Sequence, residues 1–174
     1  DQAPAGASRQ PFSAEAAEAL ERFRPAVVSF HFGLPAPALL ARVKRLGALV
    51  LSTATTVEEA LWLQANGADA VIAQGLEAGG HRGHFLSTDI GGQTNTLTLV
   101  ARCVKALDLP VIAAGGISSH ADIARLQSMG ASGVQLGTAF AVTQECDASL
   151  AFKNILAQAR PQDMVEFLSV AGLP

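Results

Sequence analysis

A single imidazole, His81, stands in the glycine-dense stretch Gln74-Gly-Leu-Glu-Ala-Gly-Gly-His-Arg-Gly83. Histidine titrates near neutrality and so suits removal of a moderately acidic C–H proton from a bound small molecule. The surrounding glycines let the backbone approach a planar ligand and adopt dihedrals that side chains forbid. The same composition also suits a mobile surface loop with a solvated histidine, so this stretch alone leaves both readings open. Two further turns, Ala113-Ala-Gly-Gly-Ile117 and Gln135-Leu-Gly-Thr138, each follow an apolar run directly. Turns of this kind present backbone N–H groups, with a short helix start, to a phosphate. Packing alone can also require them.

Other polar residues carry weaker signals. Glu77 is a possible acid near His81, but no second carboxylate lies close enough in sequence for paired-acid chemistry. His31, in Ser29-Phe-His-Phe-Gly33, either faces a ligand or satisfies a core hydrogen bond, and the second reading is preferred. His84 and His120 read as solvated, the latter opening a helix; Trp62 and the eight phenylalanines read as packing residues. Cys103 and Cys146 have neither close pairing nor the His spacing of zinc sites, so both are expected to be small buried residues and no metal site is expected.

The elements that must position these residues show in the hydropathy pattern. Short apolar runs at 26–32, 48–53, 70–74, 111–114 and 133–136 read as strands, each bounded by turn residues. Segments 36–46, 57–66, 96–107, 121–129 and 148–159 read as the helices that alternate with them, after an opening helix over 13–23 capped by Ser13. Thr56 ahead of Val57-Glu-Glu59, and Gly67 after Asn66, mark one helix start and stop. Strands apolar on both faces and joined by helices require a parallel sheet covered by helices. The G-x-G-x-x-G turn of an open dinucleotide-binding sheet is missing after Phe32 and Thr53, and the glycines cluster instead behind the last three strands. A (β/α)8 TIM barrel fits this better, because barrel enzymes place their sites at the carboxyl ends of the strands.

Such a barrel usually takes ~250 residues, and five strand-helix units do not close it. Residues 1–174 are therefore expected to be one partial TIM-barrel domain, lacking the first three units or receiving the missing part from another chain, and ending at Pro174 without a finishing helix. Its open sheet edges would favour aggregation.

Composition agrees with a globular domain and narrows the partners. A 174-residue chain with 49% hydrophobic residues can bury a substantial core. The formal charge of −3 is scattered, without the basic block of a nucleic-acid binder. No apolar run approaches the ~20 residues of a membrane span, and no basic-then-apolar leader opens the chain, so a cytoplasmic protein is expected.

Five stretches together are similar to the nitronate monooxygenases, formerly grouped with the 2-nitropropane dioxygenases. They are Val28-Ser-Phe-His-Phe-Gly-Leu-Pro35, Ser52-Thr-Ala-Thr-Thr-Val-Glu-Glu-Ala60, residues 74–83, Pro110-Val-Ile-Ala-Ala-Gly-Gly-Ile117 and Gly133-Val-Gln-Leu-Gly-Thr-Ala-Phe140. The resemblance implies FMN at the barrel mouth, with Gln74 touching the flavin or its ribityl chain and Gly79 making room beside it. Gly116 with Gln135, Leu136, Gly137 and Thr138 would surround the phosphate, and His81 falls on the family's catalytic histidine. The implied reaction oxidises an alkyl nitronate with O2 to a carbonyl compound and nitrite, the histidine deprotonating a neutral nitroalkane. The family's flavin-contacting N-terminal strand, with its Pro-Met segment, has no counterpart in these residues, and the family extends beyond Pro174.

Two alternatives remain at this stage. An FMN- and NADH-dependent enoyl-acyl carrier protein reductase shares the Glu-Ala-Gly-Gly-His stretch and the phosphate turns, whereas Ser29-Phe-His-Phe-Gly33 favours the nitronate enzyme. The other is an inactive barrel fragment. Physiological substrate and oligomeric state are not legible.

Overall fold

The computed structural model describes residues 11–160 and 163. The opening stretch 1–10 and the closing segment 164–174, where the expectation of no finishing helix falls, lie outside the described residues. From Phe12 onward the chain alternates as the hydropathy predicts. Helix α1 (Ala14–Phe23) precedes β1 (Val27–Phe30), α2 (Pro37–Arg45), β2 (Leu49–Ala54), α3 (Val57–Ala65) and β3 (Ala70–Gln74). Helix α4 (Thr96–Ala106), β4 (Val111–Ala114), α5 (His120–Ser128), β5 (Gly133–Gln135), α6 (Thr138–Ala141) and α7 (Leu150–Gln158) follow.

Local chemistry sets the helix starts. Side-chain oxygens of Ser13, Thr56, Asn95, Ser119 and Ser149 each accept a backbone N–H of the first turn, and Ser119 and Asp122 complete a reciprocal capping box. Pro37 opens α2, where the N–H it lacks would have no partner. Strand β1 ends at Phe30 rather than at 32 because Phe32 takes a left-handed backbone, φ 64°, that leaves the extended ladder. The four-residue α6 has no counterpart in the hydropathy pattern.

All five strands are parallel and their spatial order is their chain order, β1-β2-β3-β4-β5. A doubly wound sheet reverses direction at a switch point; this one does not. Right-handed crossovers stepping always the same way set every connecting helix on one face, as in consecutive units of a (β/α)8 barrel. The fold is accordingly a five-stranded portion of a TIM barrel.

Strand alternation separates two faces. Val71, Ala73, Val111 and Ala113 point to the helices and form the main core with Leu63, Leu99, Val100 and Cys103. A smaller cluster of Val28, Val43, Ala48 and Val50 continues it toward α1 and α2. The alternate residues Ile72, Gln74, Ile112, Ala114 and Gln135 therefore occupy the inner face. Register pairs Gln74 with Ala114 and Ala114 with Gln135, so the two glutamine positions stand at one level at the carboxyl ends of the strands.

Some packing expectations fail. Phe23 and Phe140 are 78% and 63% exposed: Phe23 ends α1 away from its buried stripe, and the four-residue α6 buries none of its residues. Cys103 is buried as expected, but Cys146, beyond the last strand, is only half-buried. Trp62 does pack, edge-on against Phe85 with centroids 5.2 Å apart.

At the opposite end of the sheet from the glycine turns, Asp69 accepts from Lys44 Nζ at 2.6 Å and from the Val50 N–H at 2.7 Å, tying α2, β2 and β3 together. Burial acts to raise its pKa, but the Lys44 ammonium and the Val50 N–H outweigh this and hold it below the ordinary 3.8. A depressed carboxyl stabilises the fold fully above its unfolded value and loses that contribution as pH falls through the folded one. Asp69→Asn should thus lower the urea midpoint at pH 7 and flatten its decline below pH 4, measured by denaturation across that range.

Candidate active site

Gln74, the last residue of β3, is 7% exposed and spends both ends of its amide on the segment that follows. Its Nε2–H donates to the His81 carbonyl at 2.9 Å, and its Oε1 accepts the Gly83 N–H at 2.7 Å. The glycine-rich stretch is thereby folded back over the strand that launches it. The buried Arg82 side chain secures the near limb, its guanidinium donating to the Gly75 carbonyl at 2.6 Å and to the Leu76 carbonyl. With its neighbours' backbones held this way, His81 sits half-buried on the rim, its ring 6.3 Å from that of Phe32 in an edge arrangement.

His31 joins the same carbonyl: its Nε2 lies 3.2 Å from His81 O. A carbonyl only accepts, so Nε2 carries the hydrogen. Burial, the largest influence, and the neighbouring His81 push the His31 pKa below its ordinary value against the raising effect of that carbonyl bond. His31 is therefore a neutral donor at neutral pH. The expected hydrogen bond exists, but it lies at the rim rather than in the core. Gly83 runs so close beneath that a Cβ on it would lie 2.7 Å from both His31 Cε1 and Thr53 Cγ2.

A second junction joins this segment to the turn after β4. Glu77 Oε2 accepts both the Thr96 N–H and the Thr96 hydroxyl at 2.8 Å, and the same hydroxyl oxygen lies 3.0 Å from the Gly115 carbonyl. Glu77, expected as a possible acid, is committed to the start of α4 instead. A Cβ on Gly75 would fall 2.2 Å from Thr96 Oγ1, and one on Gly116, whose φ is +64°, would fall 2.9 Å from Glu77 Cβ. Only glycine fits either place without displacement.

The turn after β5 closes the group. A Cβ placed on Gly79 would lie 3.4 Å from Thr138 Oγ1, so the first and third glycine turns meet there. Gly116, Gly137 and Thr138 are exposed on this rim, and the backbone N–H groups of Gly116, Ile117 and Gly137 make no hydrogen bond among the described residues. Gln135 leaves β5 on the inner face, whereas the Leu136 side chain packs into the main core and can offer only its backbone. His120 is exposed at the first position of α5, as expected. His84 is not solvated as expected: it is half-buried, and its Nδ1 is shielded without a partner among the described residues, as are both amide atoms of Gln93. Arg82 and Thr96 escape a reading of the sequence: Arg82 bonds main-chain carbonyls of its own segment, and the Thr96 hydroxyl meets Glu77 and Gly115, each 19 residues away. No cluster of metal-ligating side chains occurs among the described residues.

Parallel units in chain order define part of a (β/α)8 barrel, and three glycine turns and a histidine gather at the carboxyl ends of its strands, where barrel enzymes place their sites. The profile of the nitronate monooxygenase family matches residues 8–172. The chain is 46% identical over 149 residues to a nitronate monooxygenase of Pseudomonas aeruginosa, covering 86% of this chain and 42% of that protein. Among solved structures it is similar to a nitroalkane oxidase from Streptomyces ansochromogenes, at 47% identity and TM-score 0.75, over 80% of this chain and 41% of that one. It also resembles FabK from Thermotoga maritima at 30% identity and TM-score 0.73, over 87% of this chain and 45% of the other. The chain belongs to the nitronate monooxygenase family. It spans about two-fifths of the length of the curated relatives it matches.

Gln74→Leu would keep the side-chain volume and delete both bonds to the glycine-rich segment. At about 1 kcal/mol net for each bond, the Gly83 amide should exchange with deuterium at least about ten-fold faster in the variant, as read by exchange mass spectrometry over residues 75–86.

Proposed function

We propose that this chain supplies the base and the phosphate cradle of an FMN-dependent nitronate monooxygenase, which oxidises alkyl nitronates with O2 to a carbonyl compound and nitrite. The observation that carries the reading is the meeting of the three glycine turns on one rim, with His81 on the first and open backbone N–H groups on the other two.

The residues present fit a flavin phosphate. Gly116 is confined to a left-handed backbone with no room for a side chain, and nothing lies within 4 Å of where a Cβ on Gly137 would stand. Backbone N–H groups of Gly116, Ile117 and Gly137 are unspent there, and such groups bind phosphate well. Gln135 and Thr138 would flank the phosphate, Leu136 would offer its backbone, and Gly79, which has no side chain, would stand beside the flavin ring. Bound FMN would supply the electron transfer between substrate carbon and O2.

The chain's own part is proton chemistry and positioning. His81 takes the proton from the carbon bearing the nitro group when the substrate arrives neutral; a nitronate, already deprotonated, needs no base. Gln74 and His31 hold the His81 carbonyl from two sides and so fix the main chain from which the imidazole reaches that carbon. Gln74 thus serves by fixing the segment, whatever contact its remaining N–H makes. The partners are a small nitroalkane or nitronate and O2, with neither nucleic acid nor membrane. No helix among the described residues is long and apolar enough to cross a membrane, and two unpaired cysteines suit the reducing cytoplasm to which we assign the protein.

In the full-length protein, His81→Asn should reduce turnover of a neutral nitroalkane by about 100-fold or more, the range of general-base contributions, while leaving flavin content and turnover of preformed nitronate nearly unchanged. Equal loss on both substrates would overturn the base assignment. Gly116→Val should show the converse, lower flavin content after purification with the substrate preference of the remaining holoenzyme unaltered, and full flavin content would overturn the cradle.

A further inference from the structure

Glu59, in the first turn of α3, is 2% exposed although its neighbour Glu58 faces solvent. Burying a carboxylate is costly unless its oxygens are well supplied with donors. Here each oxygen receives two. Oε2 accepts the Thr55 N–H at 2.7 Å and the Thr55 hydroxyl at 2.8 Å. Oε1 accepts the Phe85 N–H at 2.7 Å and lies 3.2 Å from the Leu86 nitrogen.

Capping does not account for this arrangement. Helix α3 already has its cap, because Thr56 Oγ1 accepts the Glu59 N–H at 3.2 Å. The Phe85 and Leu86 donors lie 26 and 27 residues away, on the limb by which the glycine-rich segment leaves the rim. Gln74 secures Gly83 and Glu59 secures Phe85, so His84 is the single residue between two fixed points. Phe85 is seated as well as tethered: a Cβ on Gly33 would lie 3.1 Å from its ring, and Trp62 stacks on it edge-on. Charge-assisted bonds to a buried carboxylate are stronger than neutral ones, and the positive end of the α3 dipole favours the charge.

We propose that Glu59 is a positioning residue for His81, acting from helix α3 through the Phe85 and Leu86 N–H groups to hold the far limb of the segment that presents the imidazole. This rests on the reading of His81 as the base. Glu59→Gln offers an acceptor to only one of the two donor pairs and turns an NH2 toward the other. Glu59→Asp keeps the charge and can keep Thr55, but is one methylene too short to span both.

The test uses the full-length flavoprotein, with kcat/KM measured on a neutral nitroalkane and on its preformed nitronate, beside His81→Asn. A sub-ångström to 1 Å displacement of the base should cost about 10- to 100-fold on the neutral substrate in both Glu59 variants, with Asp and Gln retaining flavin and with nitronate turnover within about two-fold of the parent protein. A residue that merely supports the fold would lower both substrates together. If His81→Asn loses the neutral substrate selectively and the Glu59 variants do not, the positioning role is wrong while the base assignment stands. Should His81→Asn show no selective loss, the base assignment itself fails. If neither Glu59 variant folds, the carboxylate is a folding determinant and the positioning role is rejected.

Discussion

Strand β3 is buried at every position, and Gln74 is its final residue. Its planar amide, rigidly launched from the sheet, can reach only a small region of space. It uses its donor on the His81 carbonyl and its acceptor on the Gly83 N–H. A glycine-rich chain has high conformational entropy when free, and this one amide closes it over the strand end. Two further contacts of the rim depend on that closure. Arg82 can reach the Gly75 and Leu76 carbonyls only when the segment doubles back, and His31 can find the His81 carbonyl only when it lies over β1.

Closure of one turn is not enough to make a site; the turns must also keep their spacing. Thr96 does this at the start of α4, with its hydroxyl between the Glu77 carboxylate and the Gly115 carbonyl. Its two partners belong to two different connections, those after β3 and after β4. Close approach replaces flexibility here: Gly75 and Gly116 are packed so tightly against Thr96 and Glu77 that no side chain could be added. Glycines that look mobile in the sequence are, in the structure, the tightest points of the rim.

The fold was largely legible from the residues. Alternation of short apolar runs with capped helices named all five strands within two residues at each end, and the absence of a dinucleotide turn argued for barrel units over an open sheet. The readings that failed concern surroundings. Glu59 is an acid in a helix's first turn, where an acid is ordinarily expected, and Glu77 reads as an acid beside His81. Nothing in their spacing says that one is spent on Thr96 and the other on Phe85, because those partners are 19 and 26 residues away. His84 was misplaced for the same reason, and Phe23 and Phe140 because hydrophobic type alone does not say which side chains of a helix meet the sheet.

By itself the sequence determined which chemistry was available: one histidine on a glycine-rich stretch, two glycine turns behind apolar runs, and the order of units that brings strand ends to a common mouth. These are local properties, set by residue type, period and capping. Only the tertiary structure decided how the histidine is held, since Gln74, His31 and Glu59 act on backbone atoms whose positions exist only after the strands have paired in register. Hydrogen bonds to a main chain leave no mark of their own in a sequence, because every residue but proline offers the same donor and acceptor.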